Sequence, residues 1–275
     1  MNAAALSQVG LTWLDALTGS AGLLDAPPRT VRVADAPLGG ESARFIAVVP
    51  DADNRFPRAR AGEAGLDEAL ALAREVRRTL AEDEGRRPRP IIALVDVTSQ
   101  AYGVREELLG IHLAAAASVD AYASARLAGH PVIALLVGKA ISGGFLTHGY
   151  QANRILALDS PGVQLNAMSQ QSAARVTRRT VEELERLGER VTPMAYDVRS
   201  FAKLGLVHRL IGGIDAAHPT GPEVERVRDE LIAAVADARA GARDLATRLT
   251  SPAAVAGRAA SIAVRRRLAE QWDAS

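Results

Sequence analysis

The chain alternates between short apolar runs and longer segments whose apolar residues recur every three or four positions. Apolar runs rich in β-branched residues predict buried strands, whereas the second spacing predicts amphipathic helices. The predicted strands are residues 45–49, 91–95, 132–137, 154–158 and 207–211. The main predicted helices among them are residues 66–82, 106–127 and 181–190. Strands that alternate with helices in this way favour an α/β fold with a parallel sheet and right-handed crossovers.

The two ends of the chain differ from this central part. Prolines and glycines interrupt residues 19–40, and a short amphipathic helix around Trp13 is predicted before them. Near the other end, the spacing predicts a pair of helices, residues 223–240 and 243–270, packed against the outside. The sequence therefore predicts a peripheral N-terminal segment (1–42), an α/β domain (43–215) and a C-terminal helical extension (216–275).

Composition excludes several classes of protein. The chain has 275 residues and a net charge of +1, so no global field favours nucleic acid or an anionic membrane. It has no cysteine, which excludes disulfides, thiolate metal sites and a cysteine nucleophile. The pattern contains no histidine-rich metal spacing, P-loop or dinucleotide fingerprint, and we expect no metal. It also contains no signal peptide and no membrane span, so we expect a cytoplasmic protein.

Residues 131–149 are the most informative stretch. An apolar run predicts a strand that breaks at Gly138, and a turn of small residues then leads to Ser142, Gly143 and Gly144. The start of a helix after a strand leaves backbone N–H groups without partners, and these suit a carbonyl oxygen that gains negative charge, as in an oxyanion hole. We predict that Gly143 and Gly144 supply such donors, with Ser142 beside them. The alternative is a glycine pair that only lets a helix and a strand pack closely.

Five further residues are candidates for substrate binding, and each has a structural alternative. The turn of Tyr102 and Gly103 contacts the substrate or simply begins the long helix. Lys139 holds a carboxylate or a phosphate, or is a solvated lysine. His148 lies one helical turn after Gly144 and protonates an enolate, or is a buried, hydrogen-bonded histidine. Asn166 lines the pocket, or is a polar residue at the edge of the sheet.

Two stretches resemble the carboxyltransferase branch of the crotonase-like superfamily. Residues 138–146, Gly-Lys-Ala-Ile-Ser-Gly-Gly-Phe-Leu, are similar to that family's Gly-x-x-x-Ser-Gly-Gly-Ala-Leu. Residues 96–103, after the second predicted strand, resemble its Asp-Thr-Pro-Gly-Ala-Tyr turn. One departure is that the family's Pro-Gly is Ser99-Gln100 here, which leaves the role of this turn open. The resemblance implies a crotonase-like ββα superhelix over residues 43–215 with a helical C-terminal extension.

Finer details resemble the γ-subunit family of the biotin-independent malonate decarboxylases. These are Trp-Leu-Asp-Ala-Leu at 13–17, Thr-Ser-Gln-Ala-Tyr-Gly at 98–103 and Ala-Arg-Val-Thr-Arg-Arg at 174–179. The resemblance implies that a malonyl thioester loses CO2 to give an acetyl thioester at a site shared with a β subunit of the same fold. It implies two more partners, an acyl-carrier subunit with a phosphoribosyl-dephospho-CoA-type arm and an α subunit that transfers acyl groups. This chain then binds no cofactor of its own.

Two other interpretations stay open. On the same fold, the chain is one half of a carboxyltransferase that moves CO2 between a thioester and biotin. Alternatively, catalysis belongs to the partner, and this chain is a structural subunit whose alanine-rich helix (113–127) buries against it. A buried core helix and an interface helix look alike in sequence, so the pattern does not separate these readings.

Overall fold

A computed structural model describes residues 7–19, 22–25 and 27–273 of the chain. The described residues form one eight-stranded sheet with helices on both of its faces. The strands are β1 (Leu23–Leu24), β2 (Val31–Leu38), β3 (Glu41–Val48), β4 (Ile91–Val97), β5 (Val132–Ile141), β6 (Arg154–Asp159), β7 (Gln164–Asn166) and β8 (Arg209–Gly212). Their order is β1-β2-β3-β4-β5-β6-β8, with β7 paired to the last residues of β5. Pairing is antiparallel from β1 to β3 and parallel from β3 onward. The predicted α/β class is therefore confirmed.

One helix precedes the first strand, and the others lie between or after the strands from β3 onward. They are α1 (Val9–Thr18), α2 (Leu66–Glu82), α3 (Val104–Leu108), α4 (Ile111–Ala128), α5 (Ser142–Thr147), α6 (Gln170–Thr177), α7 (Val181–Gly188), α8 (Val198–Lys203), α9 (Gly221–Ala240), α10 (Thr247–Thr250), α11 (Pro252–Gly257) and α12 (Ala259–Asp273). None of the described helices is long and apolar enough to cross a membrane.

Alternate residues of β4 show how the sheet separates its two helical layers. Val95 and Val97 face α5 and the residues after it, because they lie against Gly149 and Gly144. Asp96, between them, faces the other way and touches Gly10 of α1. This alternation is the period of two expected of a strand. Strands β4 and β5 are buried almost throughout, as parallel strands covered on both faces are.

The predicted peripheral position of residues 1–42 is wrong for the part that the structure describes. Trp13 and Leu14 of α1 are fully buried, and the Trp13 indole N–H donates to the Ala216 carbonyl at 2.8 Å. Strand β2 pairs along the whole of β3, so the expected boundary after residue 42 falls inside a strand pair. On the other side, Leu231 of α9 belongs to the same hydrophobic core, so residue 215 does not separate two packing units either.

Three predicted elements differ from the observed ones at glycine or proline. The helix predicted over 106–127 is two helices, because Gly110 takes a left-handed conformation (φ 83°) between them. The helix predicted over 243–270 is three, since Ser251 caps a new helix that begins at Pro252. Strand β5 continues through Gly138 instead of breaking there. A Cβ at Gly138 would lie 2.1 Å from a carboxylate oxygen of Asp96, so this glycine provides room for Asp96.

Candidate active site

The glycine turn, residues 142–144, lies where β5 passes directly into α5. Ile141 is still extended, and Ser142 then adopts φ 60°, a left-handed conformation uncommon outside glycine. One residue thus ends the strand and begins the helix. The first N–H groups of a helix have no partner in a preceding turn, so the N–H groups that follow Ser142 are available to acceptors outside the helix.

The Gly143 N–H is aimed at a carbonyl oxygen. It donates to Oε1 of the Gln100 side chain at 2.9 Å. A carboxamide oxygen is a close chemical relative of the thioester oxygen that an oxyanion hole binds. In this conformation the Gly143 N–H therefore bonds to a neighbouring side chain, and its role as a donor to the substrate stays a prediction.

Gln100 reaches this position because its loop is fastened at two points. The Ala64 N–H donates to the Ser99 carbonyl at 3.0 Å, and the Ala101 N–H donates to the Ala64 carbonyl at 2.9 Å. These bonds hold the backbone on both sides of Gln100, and its side chain extends across to the glycine turn. Sequence reasoning left the role of this turn open. The sequence feature that points to this contact is the amide side chain of Gln100, at a position where the related family has glycine.

Gly144 has a packing role, and its predicted role as a second backbone donor stays a prediction. A Cβ there would lie 2.4 Å from the Ser99 carbonyl oxygen and 2.5 Å from Cγ1 of Val97. One of these contacts is with backbone, which cannot move aside without opening the loop that holds Gln100. Close packing of helix and strand is therefore sufficient to explain why residue 144 is a glycine. At Gly143 a Cβ would meet only the end of the Gln100 side chain, at 2.9 Å.

His148 lies in the core and has no access to the glycine turn. It is fully buried, its Nε2 lies 3.0 Å from the Leu94 carbonyl oxygen, and its Nδ1 lies 3.0 Å from the Tyr122 hydroxyl. The carbonyl can only accept, so Nε2 carries the proton and Nδ1 accepts from Tyr122. Burial lowers the pKa of His148 to about 4, so the ring is neutral. The predicted general-acid role is contradicted, because both ring nitrogens are occupied and no surface leads to them.

Tyr102 and Gly103 follow Gln100 at the rim of the site. Tyr102 is 58% exposed. Gly103 precedes α3 and has φ −179°, an extended conformation that any residue adopts. Its Cβ would approach the Glu106 carboxylate to 2.9 Å. Both residues lie at the surface next to the Gln100 loop, where a substrate or a partner can reach them.

Lys139 lies near the end of β5, and Asn166 lies on the neighbouring strand β7. Lys139 is exposed and borders a cavity of about 370 Å³ together with the buried Asp96 and with Thr98. The Lys139 backbone N–H donates to Asp96 at 3.0 Å, and the Thr98 hydroxyl is buried without a partner among the described residues. Asn166 pairs with Ile141, next to the turn, but its amide N–H donates to the Ala195 carbonyl at 2.9 Å. Asn166 thus connects β7 to the segment that contains Ala195.

The site contains donors but no metal ligands. Across the part of the chain that the structure describes, no three His, Asp or Glu residues are grouped as a metal centre. What its geometry offers is backbone N–H groups at a strand-to-helix junction. Such an arrangement stabilises negative charge on an oxygen without forming a covalent bond to it.

Comparison with known proteins connects this geometry to one family. Residues 59–272 match the family model described as malonate decarboxylase gamma subunit. A curated relative, the malonyl-S-ACP:biotin-protein carboxyltransferase MADD of Malonomonas rubra, is 37% identical over 188 residues. That match covers 66% of this chain and 64% of the relative, so the chain spans somewhat less than two thirds of the relative's length.

Solved structures agree over nearly the whole chain. A chain of a Pseudomonas malonate decarboxylase hetero-tetramer in complex with coenzyme A is 54% identical, with a TM-score of 0.90, over 96% of this chain and 99% of that one. A chain of the Pseudomonas MdcD–MdcE hetero-dimer is 53% identical, with a TM-score of 0.88, over 97% of this chain and 100% of that one. Transcarboxylase 12S, at 19% identity and a TM-score of 0.64 over 86% of this chain and 43% of that one, shares the carboxyltransferase fold.

Proposed function

The chain belongs to the family of malonate decarboxylase gamma subunits, and on that premise we propose that it forms one half of a malonyl-thioester decarboxylase. In this reaction the bond between the carboxylate carbon and C2 breaks and CO2 leaves. The bonding electrons move onto the thioester oxygen, which becomes an enolate oxygen, and C2 then takes a proton to give the acetyl thioester. The step needs stabilisation of that oxygen and needs neither a nucleophile nor a metal.

The hydrogen bond from Gly143 to Gln100 supports this proposal best. In this bond the Gly143 N–H already donates to a carbonyl oxygen, at 2.9 Å, which supports a similar bond to the thioester oxygen. The thioester oxygen of the substrate replaces the Gln100 oxygen there. The exchange favours the reaction as it proceeds, because a hydrogen bond to a charged oxygen is roughly twice as strong as one to a neutral oxygen.

Protonation of the enolate is assigned to a group outside this chain's core. His148, the only histidine close to the turn in sequence, is neutral, buried and fully hydrogen-bonded. We therefore assign the proton to water or to the partner subunit. If the partner supplies the proton, the site is active only in the assembled enzyme.

We propose that the partner binds at the α3 patch, the exposed apolar side chains that follow the Gln100 loop. They are Tyr102, Val104, Leu108, Leu109 and Leu113. Leu108 is 83% exposed, and such a group of exposed apolar side chains is typical of a protein interface. A relative at 53% identity was solved as the MdcD–MdcE hetero-dimer, which supports a β subunit of the same fold as the occupant. Covering this patch encloses the glycine turn at the junction of the two subunits.

The remaining partners are proposed from the same family. A malonyl group arrives on an acyl-carrier subunit through its phosphoribosyl-dephospho-CoA-type arm, and an α subunit transfers acyl groups to that carrier. The name of the Malonomonas relative contains malonyl-S-ACP, and a related hetero-tetramer was solved with coenzyme A, which supports a carrier arm of this kind. Lys139, exposed beside its cavity, is the candidate for a phosphate of the arm.

The test is CO2 release from malonyl-acyl-carrier protein by three samples: this chain, its β partner, and the two co-purified. We expect release only from the pair. A folded, stable pair that releases no CO2 contradicts the proposal. Equal release from the β partner alone assigns catalysis to the partner and leaves this chain a structural role.

A second candidate function is supported by the Malonomonas relative, whose name describes carboxyl transfer to a biotin protein. In that reaction the same enolate forms, but the carboxyl group passes to biotin on another chain. Avidin, which sequesters biotin, separates the two. With the biotin-carrying chain added to the pair, activity that is unchanged by avidin supports decarboxylation without biotin, and complete inhibition supports the transfer reaction.

A further inference from the structure

Arg248 is a buried guanidinium with no carboxylate partner among the described residues. It is 8% exposed, and its Nη2 donates to the carbonyls of Tyr150 and Ala152, both at 2.7 Å. Its plane lies over the Tyr150 ring, with the guanidinium carbon 4.8 Å from the ring centroid. Nη1 is buried and makes no hydrogen bond to any described residue. Native proteins rarely leave a buried donor without a hydrogen-bond partner, so Nη1 is a candidate donor to a bound acceptor.

The surroundings of Arg248 carry excess positive charge. Arg126 and Arg154 are also buried, and both repel the Arg248 charge. Asp237 pairs with Arg154, whereas the N–H groups of Arg126 bond to oxygens of Gln151 and Arg243. Burial lowers the pKa of Arg248 to about 10, which still leaves it charged at pH 7. Asp237 offsets the charge of Arg154 and Asp244 acts on that of Arg126, so the uncompensated buried charge is that of Arg248, which favours the entry of an anion.

A cavity of about 490 Å³ opens beside Arg248, between α8 and the C-terminal helices α10–α12. Its walls include the apolar side chains of Phe201, Leu204 and Leu249. Two more arginines, Arg258 and Arg265, line it, and no Asp or Glu is among its lining residues. The volume is within the range of small-molecule sites, which combine apolar walls with a few placed charges.

This cavity is separate from the glycine turn. None of residues 142–144 lines it, and Arg248 contacts the carbonyls of the segment that leads from α5 to the start of β6. The nearest connection is Tyr150, which lines the cavity and packs edge-on against Phe145 of α5 with ring centroids 5.6 Å apart.

We propose that this cavity binds a small organic anion, with its carboxylate or phosphate head at Arg248, Arg258 and Arg265 and its apolar body against Phe201, Leu204 and Leu249. The site is independent of the proposed decarboxylation, since it uses none of the residues of the glycine turn. The positive charge of the arginines requires a negatively charged head group. The apolar walls favour a ligand with a short hydrocarbon chain over a hydrated inorganic ion.

The test is calorimetric titration of the full chain with hexanoate, with hexanol as the uncharged control and inorganic phosphate as the second head group. We expect saturable binding of one hexanoate, at least about tenfold tighter than hexanol, because a charge-assisted hydrogen bond distinguishes them. If phosphate competes with hexanoate, the head-group site accepts phosphate as well; if it does not, the ligand is a carboxylate.

Variants locate the site without disturbing the buried arginine, which also holds two backbone carbonyls. Arg258→Gln and Arg265→Gln, at the lining but outside the core, should each weaken hexanoate binding about tenfold. Arg267→Gln, on the same helix α12 but outside the cavity lining, is the matched control and should leave binding unchanged. The proposal is overturned by no saturable binding of hexanoate, by equal binding of hexanol, or by an equal effect of all three variants.

Discussion

The two sides of the glycine turn are built differently. On the inner side, Gly144 packs against the Ser99 carbonyl, and His148 is enclosed with both ring nitrogens hydrogen-bonded. On the outer side, the Gly143 N–H donates to the side chain of Gln100. The exposed apolar residues of the α3 patch follow Gln100 in the chain. The inner side is complete within this chain. In the proposed function, a substrate and a partner complete the outer side.

This difference divides a motif that looks uniform in sequence. Gly143 and Gly144 both lack a side chain, yet the space around them differs: a Cβ at Gly143 would meet only the Gln100 side chain, whereas one at Gly144 would meet a backbone oxygen. Catalytic electrostatics needs preorganised donors, and these in turn need a rigid support behind them. In this chain the inner side is that support.

Replacing Gly144 by alanine should have the largest effect. Its Cβ would lie 2.4 Å from the Ser99 carbonyl oxygen, so the loop must shift, and we expect the free energy of unfolding to fall by about 3 kcal/mol or more. Gly143→Ala is the matched control, because its Cβ meets only the end of a side chain. We expect it to lose under about 1 kcal/mol. Urea denaturation measures both, and equal losses would contradict the division between the two glycines.

Replacing Leu108 by aspartate should separate the subunits. The side chain is 83% exposed in the free chain, so the substitution should leave folding intact. A charge buried at the centre of an apolar interface should weaken association with the β partner about 100-fold or more. Leu23→Asp, on the far edge strand β1, is the control and should leave the Kd unchanged. Surface plasmon resonance checks both. If the two variants behave alike, the α3 patch is not the interface.

His148 should make the stability of the chain pH-dependent. Its pKa is lowered to about 4 in the folded chain, from about 6.5 when unfolded, so the unfolded state binds the proton first as the pH falls. The stability it contributes is complete above pH 6.5 and is lost toward pH 4, by about 2 kcal/mol between pH 6.5 and 5.

The measurement is denaturant unfolding across this pH range for the wild type and for His148→Gln. The variant should be less stable at pH 7 but should lose about 2 kcal/mol less than the wild type on acidification. Parallel pH curves would show that His148 does not carry this dependence.

Replacing Ser142 by alanine should have the smallest effect. Its backbone, at φ 60°, forms the turn, and alanine can adopt the same conformation at similar cost. We expect the decarboxylation rate of the assembled pair to change less than about threefold, within the range of an indirect effect. A fall of about 100-fold, the size seen when a catalytic donor is removed, would assign the hydroxyl a direct role.

Local patterns predicted the framework of this fold well. Apolar spacing placed α2 at residues 66–82, as observed, because one face of that helix is buried, mainly against α4 and also against the sheet. The prediction was wrong where a distant residue decides the conformation. Gly138 stays within β5 because Asp96, 42 positions earlier, needs the room. His148 was placed on a helix facing the site, but α5 ends at Thr147 and the next residue turns into the core.

The candidate site was predictable only in part, because contacts between residues distant in sequence also decide its geometry. The glycine pair is visible in sequence, but its division of roles depends on a loop that strand pairing brings across from residues 98–103. Gln100 bonds to Gly143 over a separation of 43 positions, and no local periodicity encodes such a contact. Arg248 is similar, because its burial follows from the packing of the C-terminal helices rather than from its neighbours in the chain.

The most direct test of the central claim is the kcat/KM of the assembled pair for malonyl-acyl-carrier protein, with Gln100→Glu compared with Gln100→Ala. A carboxylate at position 100 competes for the Gly143 N–H and repels the developing enolate, so Gln100→Glu should lower kcat/KM about 100-fold. Gln100→Ala frees the same N–H and should keep kcat/KM within about threefold of the wild type or raise it. Equal values for the two variants would show that the thioester oxygen does not bind at Gly143.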